Sequence, residues 1–289
     1  MSEVFKIVNG AKDFHGVQAI KNVNFSLLKG EIHSLLGENG AGKSTMTKVV
    51  AGVYQLSSGE LYFESKKATF NTPSEALKNG IVMVFQENSL VPNMTVSQNL
   101  YLGAEKYFNS LARLNIRASR FLQSLNFNVD PNLLVSQLGA AQKQMVEIAR
   151  AVHHNAKVII FDEPTATLTP EEKHHFFSLM QRLKVQGVSI VFISHALEEA
   201  LQNSDRITVL RDGEIIVTDS ASKFTRERIV KAMIGRDLSD SAYAASGGSK
   251  RKSRDRGEKV LEVENLSMGS MVKNSTFSAY SGQITGVFG

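Results

Sequence analysis

Over roughly the first 240 residues, short unbroken apolar runs alternate with stretches whose apolar residues recur at helical spacing. The runs "HSLLG", "IVMVF", "KVIIFD", "VSIVFIS" and "DRITVLRDG" have strand length and little polar alternation. Strands apolar on both faces belong in a largely parallel sheet covered by helices on each side. Between them, Met145, Ile148, Ala149 and Val152 share one helical face, and Phe176, Leu179, Met180 and Leu183 share another. Thr169, Pro170 and Glu172 form a capping box with proline at the first helical position, so a helix is predicted to start there. Residues 88–150 interrupt the strand series and predict a helical insertion.

The pattern then begins again. "KNVNFSLLKGEIHSLLG", ending at Gly37, aligns with "KNSTFSAYSGQITGVFG", ending at Gly289. A strand-like stretch precedes each, from Glu3 and from Glu258, with a shorter first loop in the second copy. Stacked or tandem units are what such self-similarity signifies. The expected organisation is one whole domain over 1–240, a linker over 241–257, and about the first 30 residues of a second copy over 258–289.

Composition changes this picture little. An apolar share of 42% and a charged share of 21% are ordinary for a globular chain. No apolar run reaches the roughly 20 residues of a spanning helix, and the N-terminus lacks a signal peptide's apolar core. Without cysteine there are no disulfides, zinc–thiolate sites or thiol nucleophiles. The net charge of +5 suggests nucleic acid until it is located: residues 249–259 carry six Lys/Arg and two Asp/Glu, hence +4 of the +5. That stretch follows "AASGGS", the composition of a flexible linker.

Two motifs carry chemistry. "GENGAGKST", comprising Gly37, Glu38, Asn39, Gly40, Ala41, Gly42, Lys43, Ser44 and Thr45, lies between an apolar strand and a helix-forming stretch. Its glycines let backbone N–H groups curl around phosphate oxygens at the positive end of the following helix. Lys43 supplies a point charge to terminal phosphates and Ser44 a hydroxyl to Mg²⁺; a plain glycine-rich turn is the alternative. "VIIFDEP" puts Asp162 and Glu163 at the end of a buried strand. Asp162 suits the Mg²⁺ shell and Glu163 a general base for attacking water; a solvated loop start is the alternative.

With these motifs in this order the chain resembles the ATP-binding cassette (ABC) ATPases, the motor subunits of ABC transporters. The resemblance implies a P-loop α/β fold with a parallel-sheet core, an antiparallel β-subdomain and an α-helical subdomain. It implies that Gln86, in "VMVFQEN", senses Mg²⁺ and attacking water, that His195, in "VFISHALEE", contacts the γ-phosphate of ATP, and that Phe14 stacks on adenine. Structural alternatives are a polar strand end for Gln86, a neighbour of a helix capped by Ser194 for His195, and core packing for Phe14. The stretches "ENSLVPNMTVSQNLYLG", "QMVEIARAV" and "DEPTATLTPEE" resemble the two-cassette ATPases of bacterial monosaccharide importers. The partners this implies are membrane permease subunits, indirectly an extracytoplasmic solute-binding protein, and a second cassette in cis, with no nucleic acid, on the cytoplasmic face of the inner membrane. The rival class is a tandem ABC ATPase acting on ribosomes or nucleic acid.

Two departures matter. The family's L-S-G-G-Q signature, which contacts ATP held on the opposite cassette, reads Leu138, Gly139, Ala140, Ala141, Gln142. Gly139 lacks the hydroxyl for the γ-phosphate, and Ala141 adds a Cβ where backbone approaches phosphate, so weak closure is expected. Thr169 stands where many cassettes carry an aspartate.

Overall fold

The computed structural model describes residues 2–85, 89–103, 110–154, 156–235, 257–269, 272–283 and 285–286. They fall in two compact units, 1–238 and 239–289, each described by itself below. The expected linker over 241–257 lies, apart from Gly257, outside the described residues, as does most of 284–289.

The first unit opens with β1 (Glu3–Phe14), β2 (Val17–Leu28) and β3 (Ile32–Leu36), then α1 (Lys43–Val50), β4 (Ser58–Phe63) and β5 (Lys66–Ala68). Next come α2 (Pro73–Lys78), β6 (Ile81–Val84), and the helical layer of α3 (Val96–Tyr101), α4 (Leu111–Ser124) and α5 (Ala140–His153). It continues through β7 (Val158–Asp162), α6 (Pro170–Val185), β8 (Ser189–Ile193), α7 (Leu197–Asn203), β9 (Arg206–Arg211), β10 (Glu214–Ser220) and α8 (Arg226–Ile234).

Two sheets result. One is antiparallel, in order β2-β1-β4-β5; the other runs β10-β9-β3-β8-β7-β6, parallel except for β10 at its edge. In β3, β7 and β8 every residue is buried, and the pleat's period of two sends alternate residues to opposite faces. Val158 and Ile160 of β7, with Val191 and Ile193 of β8, join a core with α1 and the antiparallel sheet. Ile159, Phe161, Ile190 and Phe192 join a second core with α6 and the helical layer. Each strand therefore ties two layers together, and its C-terminal end stands between them. Edge strand β10 instead alternates exposed and half-buried positions.

The cap expected at residue 169 is present: Thr169 Oγ1 accepts from the Glu172 N–H at 3.3 Å, and Glu172 returns to the Thr169 N–H at 2.8 Å. Such a cap contributes about 1 kcal/mol and fixes where α6 begins behind the Glu163 loop.

The second unit contributes a hairpin of β11 (Lys259–Met268) and β12 (Val272–Tyr280). Its pairing repeats that of β1 and β2. Ile7 faces Phe25 as Val263 faces Phe277, and Glu3 faces Leu28 as Lys259 faces Tyr280.

Candidate functional site

The ends of β3, β7 and β8 converge on one cleft of about 460 Å³, lined by residues 39–45, Glu163, His195 and Ala19 of β2. The loop after β3 is forced tight. A Cβ on Gly37 would stand 2.4 Å from the Leu210 carbonyl oxygen. Gly42, at φ 100°, would meet the Ala19 carbonyl oxygen at 2.5 Å. No other residue fits these two positions. Gly42 then starts α1, whose first N–H groups and positive end face the cleft.

Lys43 is buried and folds back along the loop, donating to the Gly37 carbonyl at 2.8 Å and the Glu38 carbonyl at 3.0 Å. Burial pushes its ammonium below the usual lysine range, while the charges of Glu163 and Asp162 pull it back up. Ser44 Oγ donates to Asp162 Oδ1 at 3.4 Å. Burial, with the charge of Glu163, drives the Asp162 carboxyl above its ordinary value against the opposing pull of Ser44, Lys48 and Lys43. A half-buried hydroxyl beside a buried carboxylate is an oxygen site suited to a hard cation.

Beyond Asp162 the chain turns sharply. Glu163 has φ 53°, left-handed for a residue with a Cβ, a conformation that costs on the order of 1–3 kcal/mol and persists where surroundings impose it. Its N–H donates to the Ile193 carbonyl at 3.1 Å, so the loops after β7 and β8 are clipped together. Across that clip Glu163 Oε1 lies 2.5 Å from His195 Nε2. The structure thus brings Lys43, Ser44, Glu163 and His195 into one cleft, with the buried Asp162 bonded to Ser44. Ser194 does not cap the helix after it, whose N-cap is Ala196; its hydroxyl instead accepts from the Ala196 N–H at 3.0 Å.

Other expected residues fall elsewhere. Phe14 is half-buried at the end of β1 and belongs to none of the buried clusters; its ring meets Tyr54 edge-on at 5.0 Å, with Lys12 over its face. Gln86 lies outside the described residues. Leu138, Gly139, Ala140, Ala141 and Gln142 open α5, away from the cleft lining. Leu138 is buried, Gly139 and Ala140 are exposed, and the Ala141 methyl packs on the core beneath the helical layer. Ala19 was not anticipated from sequence; a lone methyl in a β-run carries no signal.

A second concavity of about 250 Å³ lies between the sheet and the helical layer, lined by Ile81, Met83, Phe85, Leu102, Glu147 and Arg150 among others. At its wall the buried Glu147 accepts from the Ser89 hydroxyl at 2.9 Å.

The model of the ABC transporter family matches residues 20–166, just over half of the 289. The chain belongs to the ABC transporter family. Solved cassettes share its fold: an ATP-binding cassette of an ABC transporter in an ADP conformation is 28% identical with a TM-score of 0.70, covering 82% of this chain and all of that one. A cassette dimer in a post-hydrolysis state, bound to ADP and Pi, is 29% identical with a TM-score of 0.67, covering 76% of this chain and all of that one. Among sequence relatives, the galactose/methyl galactoside import ATP-binding protein of Clostridium perfringens is 40% identical over all of this chain and 55% of its own length. The ribose import ATP-binding protein of Chelativorans is 39% identical, over all of this chain and 56% of its own. The chain spans a little over half the length of these relatives.

Proposed function

We propose that this chain is the first nucleotide-binding cassette (1–240) and the opening of a second (258–289), joined by the basic linker 241–257, of the ATP-hydrolysing subunit of a bacterial monosaccharide importer. The observation that carries this reading is the single cleft shared by Lys43, Ser44, Glu163 and His195, with Asp162 bonded to Ser44. The repeated strand pairing of β11 and β12 supports the second opening, and the names of the relatives support the substrate class.

In this reading the loop 37–45 and the start of α1 hold the ATP phosphates by backbone N–H groups, and Lys43 exchanges its carbonyl partners for phosphate oxygens. Ser44 and Asp162 hold Mg²⁺, with Gln86 completing the set; one carboxylate plus substrate phosphates is an ordinary Mg²⁺ arrangement. When bound, Mg²⁺ neutralises charge on the phosphates. Glu163 takes the proton of the attacking water, and His195, hydrogen-bonded to Glu163, reaches the γ-phosphate. Phe14, outside the residues that line the cleft, stacks on adenine. Leu138 to Gln142 serve the opposite cassette's ATP.

The groove at Ile81, Phe85 and Glu147 receives a cytoplasmic segment of the permease, which is fed by an extracytoplasmic binding protein. Among the described residues no helix is long and apolar enough to cross a membrane, which suits a peripheral subunit on the cytoplasmic face. The test is Glu163→Gln: hydrolysis falls by about 10²–10⁴ while MgATP affinity is kept. A variant hydrolysing near the parent rate overturns the assignment.

A further inference from the structure

Glu199 sits on α7, one turn past His195, and the chemistry assigned above does not use it. Its carboxylate is nonetheless the meeting point of three elements. Oε2 accepts from the Thr165 hydroxyl at 2.7 Å and from the Ser194 hydroxyl at 2.9 Å, and Oε1 accepts from Lys173 Nζ at 2.9 Å. Thr165 and Ser194 are both buried. The Glu199 side chain is only 12% exposed.

The placement of these donors is what gives the carboxylate leverage. Thr165 follows Glu163 by two residues, on the loop leaving β7. Ser194 immediately precedes His195, on the loop leaving β8. Lys173 is on the first turns of α6, whose capped start terminates the Glu163 loop. One oxygen therefore holds the two loops that present Glu163 and His195 to each other, and the other oxygen anchors both to a helix. Ser194 transmits the hold further, because the hydroxyl that donates to Glu199 accepts from the Ala196 N–H at 3.0 Å, so His195 is bracketed on both sides. All three partners are donors, one of them a cation, so only an acceptor with two oxygens serves them together.

The left-handed turn at Glu163 lies between the groups that this hold ties together. That conformation is costly for a residue with a Cβ, and the Glu163 N–H to Ile193 bond clips the two loops from the backbone side. Thr165 and Ser194, held on one carboxylate oxygen, add a side-chain tie beside that bond and beside the 2.5 Å approach of Glu163 to His195. We infer that Glu199 is a positioning residue which fixes the separation of Glu163 and His195 by holding Thr165 and Ser194 on one carboxylate oxygen. The inference rests on the proposed ATPase reading for its kinetic consequence, but not for its structural one.

The experiment compares the parent chain with Glu199→Ala and Glu199→Gln. Three quantities are read: single-turnover ATP hydrolysis at excess protein, MgATP affinity, and the downfield imidazole N–H resonance of His195, assigned by its loss in His195→Ala. Loss of the charge-assisted bonds in Glu199→Ala lowers hydrolysis about ten- to a hundredfold, leaves affinity within about twofold, and shifts or abolishes the imidazole resonance. Glu199→Gln keeps a carbonyl oxygen for the two hydroxyls and restores most of the rate and the resonance. A simple loss of fold would lower affinity in parallel with hydrolysis, and that outcome overturns the proposal. So does an unchanged imidazole resonance in Glu199→Ala. Should Glu163→Gln hydrolyse like the parent, the ATPase reading fails by itself, and the imidazole resonance still decides whether Glu199 holds the pair.

Discussion

Residues 138–142 give a prediction whose size can be worked from the structure. An added Cβ at Gly139 meets no heavy atom within 4 Å, so Gly139→Ser enters without strain. The Gln142 side chain already returns to the Gly139 N–H at 3.3 Å. A serine hydroxyl accepting from the Gln142 N–H completes the reciprocal cap, worth about 1 kcal/mol, or roughly 2–4 °C in Tm for a domain of this size. The same hydroxyl supplies the missing hydrogen bond to ATP on an opposing cassette, about 1.5–3 kcal/mol for a charged partner and hence about ten- to a hundredfold in closure. Ala141→Gly acts in the other direction on stability. It removes a methyl packed on the helical core, about 0.8 kcal/mol, and adds roughly 0.8–1 kcal/mol of helix penalty. The assay is phosphate release at saturating MgATP beside thermal unfolding. The parent chain binds ATP but turns over slowly, Gly139→Ser raises the rate at least about tenfold with a small gain in Tm, and adding Ala141→Gly takes the Tm gain back. Brisk, cooperative hydrolysis by the parent refutes the reasoning. A Gly139→Ser that lifts Tm and not the rate shows a cap and no phosphate contact.

Lys43→Ala abolishes tight MgATP binding, because its ammonium and the loop N–H groups act on the same phosphates; undiminished affinity by calorimetry shows the loop to be only a turn. Photo-cross-linkers placed between Ser89 and Leu100, beside the groove at Glu147, capture a permease subunit in membranes; capture of ribosomal protein instead favours the rival class. The buried His33, whose Nε2 meets the Thr208 hydroxyl at 2.7 Å, is held by burial below its ordinary value of 6.5, although its hydrogen bond to Glu31 pulls the other way. The unfolded chain therefore binds the proton first, and stability falls as pH drops below about 6.5, by up to about 1.4 kcal/mol per pH unit. Unfolding midpoints between pH 5.5 and 7.5 should lose this component in His33→Gln, and an unchanged slope overturns the assignment.

What the sequence made legible was local. The five apolar runs of the first unit became β3, β6, β7, β8 and β9 because a strand buried on both faces needs no partner information to be recognised. Thr169, Pro170 and Glu172 announced α6 because a cap is completed within four residues. The site was half legible for the same reason: Lys43 and Ser44 sit in a contiguous loop, and Asp162 and Glu163 end one strand. The left-handed turn at Glu163 was not, since nothing in "DEP" demands it; the clip to Ile193, 30 positions on, imposes it. Glu199 was equally silent. Among the charged residues of "ALEEALQN" it reads as a solvated helix face, and its partners Thr165 and Lys173 come from another part of the chain.

The antiparallel sheet was hidden from periodicity for a more particular reason, and that reason bears on the repeat. Asn9 and Asn22 take φ 48° and 46°, and the pairing of β1 with β2 shifts register beside them. Each shift moves the following side chains to the other face and breaks the alternation by which a half-buried strand is recognised. In the second unit Asn265 and Asn274 take φ 50° and 50°, again beside register shifts. The Asn9 N–H donates to the side chain of Asn24 at 3.0 Å, and the Asn265 N–H donates to that of Thr276 at the same distance. Asn24 and Thr276 occupy matching positions of the two copies, as do Asn22 and Asn274. Asparagine tolerates the left-handed region better than most residues with a Cβ, so a bulge built on it survives while the apolar residues around it change. The irregularity that obscured these strands one at a time is what the two copies have in common.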